Sequence, residues 1–284
     1  MNPQTAATPA QGVKRRWLYV VLILAFFFVL MPFLFWESTW FGRPLSDAQI
    51  TQYLGDRAHP RKQQHALSQI ADRMMSPDPA LRASARGWYP RVVELASSPQ
   101  DELRLTAAWV MGQDPSVPEF HQALLGLLAD RNPMVQRNAA LSLVRFQDSS
   151  GHDVIVAMLE PYDMPVSAGG KLSERLKPGD IINPGTLVGR IEQAKEKVEL
   201  RTPVPGTIER WLVPDGSAVS AGQRVLEISP SPDEAWESLR ALYLIGRKDD
   251  IATIDAFVRS SSDLPPNILQ QASLTKDAIR ARNP

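Results

Sequence analysis

The chain has 284 residues, 31 basic and 31 acidic side chains, and no cysteine. Balanced charge offers a polyanion no electrostatic attraction, so nucleic acid is not an expected partner. Lack of cysteine excludes disulfides, thiolate nucleophiles, iron–sulfur ligation and covalent c-type haem attachment.

Residues 1–16 read as a polar, Pro/Ala-rich, disordered tail that ends in Lys14-Arg15-Arg16. Residues 17–36, from Trp17 to Trp36, carry no charge. Twenty residues rising 1.5 Å each span roughly 30 Å, the hydrocarbon thickness of a bilayer. Trp17 and Tyr19 at one end, with Trp36, Trp40 and Phe41 at the other, sit where interfacial aromatics belong. This predicts an uncleaved single-pass transmembrane helix with the lipid bilayer as partner, since no small-residue cleavage site follows. Three basic residues precede the span, while Glu37 and Arg43 offset each other after it. The positive-inside rule then puts the N-terminus in the cytoplasm and the bulk of the chain on the periplasmic side of a bacterial inner membrane.

Residues 45–160 read as helical repeats. Pro60 opens a helix with apolar positions at Ala66, Ile70, Ala71 and Met74, and the Ser76-Pro77-Asp78-Pro79 stretch breaks it. Leu103, Ala107, Ala108 and Met111 recur 32 residues later as Val135, Ala139, Ala140 and Leu143. Each set is followed by a partner helix, near 117–129 and 151–159. A period of this length marks a stacked α-solenoid, in which the small Ala pairs let neighbouring helices approach. The pattern resembles HEAT repeats. It returns at 231–284, where Ala241, Ile245 and Gly246 take the places of Ala107, Met111 and Gly112.

Between these helical parts, residues 164–229 are written twice. Gly170, Pro178-Gly179, Pro184-Gly185 and Leu187–Ile191 correspond to Gly206, Pro214-Asp215-Gly216, Ala221-Gly222 and Val225–Ile228. The offset is 36 positions from Gly170 to Gly206 and 37 from Gly185 to Gly222. Short β-branched runs cut by Pro-Gly and Asp-Gly predict strands and tight turns. The duplication predicts two similar half-sheets packed face to face. Glu192-Gln193-Ala194-Lys195-Glu196 joins the halves, and Pro203-Val204-Pro205-Gly206 follows.

This segment resembles the biotinyl/lipoyl-carrier domain, a barrel-sandwich hybrid. The resemblance implies a modified lysine on the joining hairpin, and Lys195 falls at that position, eleven residues before Gly206. Its neighbours Ala194 and Glu196 stand where the family has Met and Met, or Asp and Ala. The combination of anchor and unmodified sandwich also resembles the periplasmic adaptors called membrane-fusion proteins.

Glycines sit at turns or helix ends, and no phosphate-cradling loop or nucleophile elbow occurs. His59, His65, His121 and His152 are scattered without metal-ligand spacing, and Asp249-Asp250 read as a helix cap. No catalytic residue, metal site or cofactor is therefore expected, and Lys195 is the sole candidate attachment site. The expected fold class is α+β and multidomain: a transmembrane helix, a HEAT-like solenoid, an inserted lipoyl-like β-sandwich, and C-terminal helices that continue the solenoid. The expected function is a non-enzymatic, membrane-anchored extracytoplasmic scaffold or adaptor that assembles protein partners in a membrane complex. The alternatives are a lipoyl or biotin carrier subunit using Lys195, and a ligand-sensing module.

Overall fold

A computed structural model describes residues 11–38, 44–194, 196–260 and 264–282 of the chain. It divides into one unit over 1–49 and a second over 50–284.

In the first unit, α1 is a 28-residue helix, Gln11–Ser38. It begins inside the stretch read as a disordered tail; Met1 to Ala10 lie outside the described residues. The membrane expectation is corrected here. No helix among the described residues is long and apolar enough to cross a membrane. The reading of residues 17–36 as a transmembrane helix falls with this. So do the bilayer as partner, the inner-membrane location and the periplasmic placement, which all followed from it. Trp40 and Phe41, invoked as an aromatic girdle, lie outside the described residues.

The second unit is α+β, with helical repeats and a β domain. After α2 (Asp47–Gly55), the helices are α3 (Pro60–Met74), α4 (Pro79–Ala85), α5 (Tyr89–Leu95), α6 (Asp101–Met111), α7 (Pro118–Leu127), α8 (Pro133–Arg145) and α9 (His152–Ala157). Their starts follow from sequence. Proline opens α3, α7 and α8, where its missing N–H costs nothing. The Asn132 side chain accepts the Met134 amide at 2.9 Å to cap α8, and Asp78 caps α4 through the Ala80 amide at 2.8 Å. After the β domain come α10 (Pro232–Ile245), α11 (Asp250–Ser260) and α12 (Pro266–Arg282). Ser231 caps α10 by accepting the Glu234 amide at 3.2 Å.

Two rows result. Helices α3, α6, α8, α10 and α12 pack successively in one, with α5, α7, α9 and α11 behind them. Ala107, Ala108, Ala139 and Ala140 are fully buried between the helices. Side chains here also bond directly to the backbone of the neighbouring helix. Ser142 donates to the Ala108 carbonyl at 2.9 Å, and Thr275 donates to that of Leu239 at 2.8 Å. Helix α10 packs on both α8 and α9, so the row passes the β domain without a break. One apolar core runs from Ala140 and Ile155 through Leu239 and Leu242 to Phe257 and Ile279.

The β domain comprises β1 (Tyr162–Pro165), β2 (Gly170–Glu174), β3 (Ile181–Ile182), β4 (Leu187–Glu192), β5 (Lys197–Arg201), β6 (Gly206–Trp211), β7 (Ala218–Val219) and β8 (Arg224–Pro230). Two four-stranded sheets, ordered β1-β8-β6-β3 and β5-β4-β2-β7, enclose Val166, Leu172, Val188, Ile191, Ile208 and Val225. The duplicated sequence folds as a duplicated structure, but the halves interleave: each sheet takes two strands from each half, in place of one half per sheet. Hydrogen bonds repeat across the pseudo-dyad. Gly179 donates to the Ile208 carbonyl at 2.8 Å and Gly216 to that of Leu172 at 2.9 Å. Gly185 donates to Thr202 at 2.7 Å and Gly222 to Val166 at 2.8 Å. The turn glycines have matched positive φ, 84° at Gly185 and 82° at Gly222, a conformation that side chains with a Cβ resist.

Candidate functional site

Strands β4 and β5 form the hairpin between the two halves. Arg190 pairs with Glu199, Ile191 with Val198 and Glu192 with Lys197. Beyond them, the Gln193 amide donates to the Glu196 carbonyl at 2.9 Å and closes the turn. The Gln193 side chain donates to the Gly169 carbonyl at 2.8 Å, tying the turn to the start of β2. Ala194 and Glu196 are exposed; Lys195 lies outside the described residues. Lys197 bonds to Glu192 at 2.7 Å, and this bond holds the Glu192 carboxyl below its ordinary value. The described residues of the hairpin thus form a braced, solvated tip in which the Lys197 ammonium is committed to a carboxylate.

The hairpin has a structural counterpart. Strands β1 and β8, through which the chain joins and leaves the sandwich, pair as Tyr162 with Ile228, Asp163 with Glu227 and Met164 with Leu226. These positions lie 36 and 37 residues from Val198 with Ile191, Glu199 with Arg190 and Leu200 with Gly189. One end of the pseudo-dyad carries the hairpin tip, and its mate carries the junction with the helices.

That junction is tight. Only Ser231 separates β8 from α10, and residues 158–161 separate α9 from β1. Ser238 of α10 donates to the Ile155 carbonyl of α9 at 2.7 Å. Arg137 of α8 meets Glu234 of α10 at 2.8 Å, with both side chains largely buried. Burial raises the Glu234 carboxyl, and the nearby Arg137 opposes that rise. His152 Nε2 lies 2.8 Å from Asp250 Oδ2, where both residues are buried. Between α8, α9 and the β1/β8 pair lies a cleft of about 500 Å³ lined by Arg137, Val154, Glu160, Tyr162 and Arg224.

Sequence reading missed these links. Asp250, the first residue of α11, accepts the Arg247 amide at 2.6 Å in the turn before the helix, and it also holds His152. The same device occurs twice before. Tyr89 donates to Asp114 at 2.8 Å, and His121 Nε2 lies 2.6 Å from Asp148. Helices α5, α7 and α9 of the rear row each reach the aspartate that follows the next front-row helix. The recurring Asp at the turns after α6, α8 and α10 was the available signal. His65 sits half-buried on α3, where desolvation lowers it. Among the described residues no group of three or more His, Asp or Glu side chains is placed to hold a metal ion.

The family profile of HEAT repeats matches residues 89–167, and the profile described as biotin-requiring enzyme matches residues 163–228. The chain carries HEAT-like repeats and a biotin/lipoyl domain. No curated protein matches it. Among solved structures, an engineered protein is 16% identical, with 82% of this chain and 78% of that one covered, at a TM-score of 0.40. A single-chain, multi-domain long-chain acyl-CoA carboxylase is 21% identical, with 48% of this chain and 14% of that one covered, at a TM-score of 0.24. HEAT repeats suggest protein–protein interaction, and together with a biotin/lipoyl domain they fit a scaffold or a carrier role.

Proposed function

We propose that this chain is a non-catalytic scaffold in which the biotin/lipoyl domain serves as a fixed module for assembling protein partners. The observation that supports this is the seam between α8–α9 and α10. The Ser238–Ile155, Arg137–Glu234 and His152–Asp250 links lock together the helices on either side of the sandwich. A carrier that shuttles an acyl or carboxyl group between active sites hangs on a long mobile linker. Here the sandwich is joined through one residue on one side and four on the other. Pull-down of the full chain from its source organism, with wild type and Lys195→Arg compared, tests the reading. Partners retained equally by both support it; loss of partners from a stably folded Lys195→Arg chain overturns it.

A carrier role is the second reading, favoured by the position of Lys195 in the hairpin of a biotin/lipoyl domain. Intact-mass measurement of the native protein discriminates. An added biotinyl or lipoyl mass that disappears in Lys195→Arg establishes the carrier, and an unmodified mass favours the scaffold.

A further inference from the structure

The front row of helices carries a groove of about 390 Å³ that crosses α6, α8 and α10. Trp109, Leu141 and Leu244 line it, one from each helix, together with Arg145, Glu237 and Arg240. Trp109 and Leu141 are one 32-residue repeat apart, so the apolar stripe is built by the repeat itself. Trp109 is 39% exposed and Leu244 61% exposed, high values for large apolar side chains facing one trough.

The charges in this trough are unbalanced. Arg145 Nη1 is held by the Gly112 carbonyl at 3.3 Å and by Gln113 Oε1 at 2.7 Å. These neutral acceptors aim the guanidinium without neutralising it, and Arg145 forms no ion pair with a carboxylate among the described residues. Arg240 lies 3.7 Å from Glu237, an exposed and loose pair. Two arginines against one glutamate leave the groove positive. A larger groove of about 1150 Å³ between α5 and α7 differs in this respect, because its Arg104 and Arg131 are both met by Asp101, and Arg104 also by Asp130.

We propose that the groove across α6, α8 and α10 docks an acidic, amphipathic helical segment of a partner protein. This rests on the scaffold reading and names the face and the chemistry of what it holds. The register fits: packed helices stand about 8–10 Å apart, and a helix advances about 10.5 Å in seven residues. Apolar side chains at i, i+7 and i+14 of the partner therefore rest on Trp109, Leu141 and Leu244 in turn, while a flanking carboxylate meets Arg145. Helices α6 and α8 precede the sandwich in sequence and α10 follows it, so the unbroken row is what completes the site.

The test uses the full chain and three labelled helical peptides of about 20 residues, with leucine every seven residues. The peptides carry Glu, Gln or Lys at the flanking positions, and fluorescence anisotropy reports binding. The Glu peptide binds saturably, the Gln peptide less tightly and the Lys peptide least. Arg145→Gln weakens the Glu peptide about fivefold, and Leu244→Glu weakens it about tenfold or more. Both side chains are exposed, and unchanged thermal melts show that both variants fold. Absence of saturable Glu-peptide binding, equal binding of the Lys peptide, or indifference to both substitutions overturns the proposal. If the peptides fail while the pull-down still recovers partners, the docking face falls and the scaffold reading stands.

Discussion

The hydroxyl of Ser238 donates to the backbone carbonyl of Ile155 across 83 residues of chain, with the whole β domain lying between them in sequence. Ser238 is fully buried, and its bond lies within a continuous apolar core. The link therefore acts as an internal packing contact of a single helical stack.

Ala107 and Ala139 lie on the neighbouring front-row helices α6 and α8, and both are fully buried. Ala107→Asp or Ala139→Asp places an unpaired charge there and is expected to lower stability by about 4 kcal/mol or more. Urea denaturation followed by far-ultraviolet circular dichroism measures it. Native-like midpoints in both variants contradict the packing described.

Arg137 and Glu234 make the buried ion pair of the seam. Arg137→Met leaves a buried carboxylate without its partner, at a loss of about 3 kcal/mol near neutral pH. Burial already raises Glu234, so protonation relieves part of that loss as pH falls. A double-mutant cycle with Glu234→Gln isolates the coupling, and coupling indistinguishable from zero rules the pair out as a seam element.

Acid weakens the repeats through their turn aspartates. Hydrogen bonds from Arg104 hold Asp130 below its ordinary 3.8, those from Asn132 do the same for Asp101, and those from Ser150 for Asp148. A carboxyl lowered in the folded state binds fewer protons folded than unfolded. Its contribution is complete above the unfolded value, near 3.8, and is lost as pH falls through the lower folded value. Glu234 works in the opposite sense, since burial raises it. The urea midpoint is expected to fall steeply below about pH 4, with a shallower fall in Asp130→Asn.

The two halves of the sandwich demand glycine at matched positions. A Cβ on Gly170 would stand 2.6 Å from the Glu192 carbonyl oxygen, and one on Gly206 would press still closer on that of Ser229. Gly170→Ala and Gly206→Ala should each cost about 2–4 kcal/mol by forcing the paired strand away. Gly126 on α7 faces open space, so Gly126→Ala should be neutral or stabilise by up to about 1 kcal/mol. Thermal unfolding of the three variants side by side checks the contrast.

The helical repeats and the duplicated strands were legible because burial imposes a period on the residues that face a core. Ala107 and Ala139, or Gly185 and Gly222, reveal themselves by spacing alone. The interleaving of the two halves was not legible, because strand order within a sheet is a non-local choice that alternating polarity leaves undetermined. The His152–Asp250, His121–Asp148 and Tyr89–Asp114 links escaped for a similar reason: the aspartate recurs, but its partner lies on a different helix and changes from Tyr to His, so no single repeat shows the pair. The span over residues 17–36 was the misreading, drawn from uncharged length in the sequence. At the candidate site, the sequence located the hairpin around Lys195. It did not show that the hairpin is the symmetry mate of the β1/β8 junction.

The pairing of Tyr162 with Ile228 has a kinetic consequence. Bringing α9 and α10 together across an unstructured segment of this length would carry a closure entropy of roughly 4 kcal/mol. Once β1 and β8 have zipped, the flanking helices experience the whole insertion as a short hairpin, and that entropy is absorbed by the sandwich's own folding. Refolding should therefore be sequential, with burial of Ile155 against Ser238 waiting on completion of the strands.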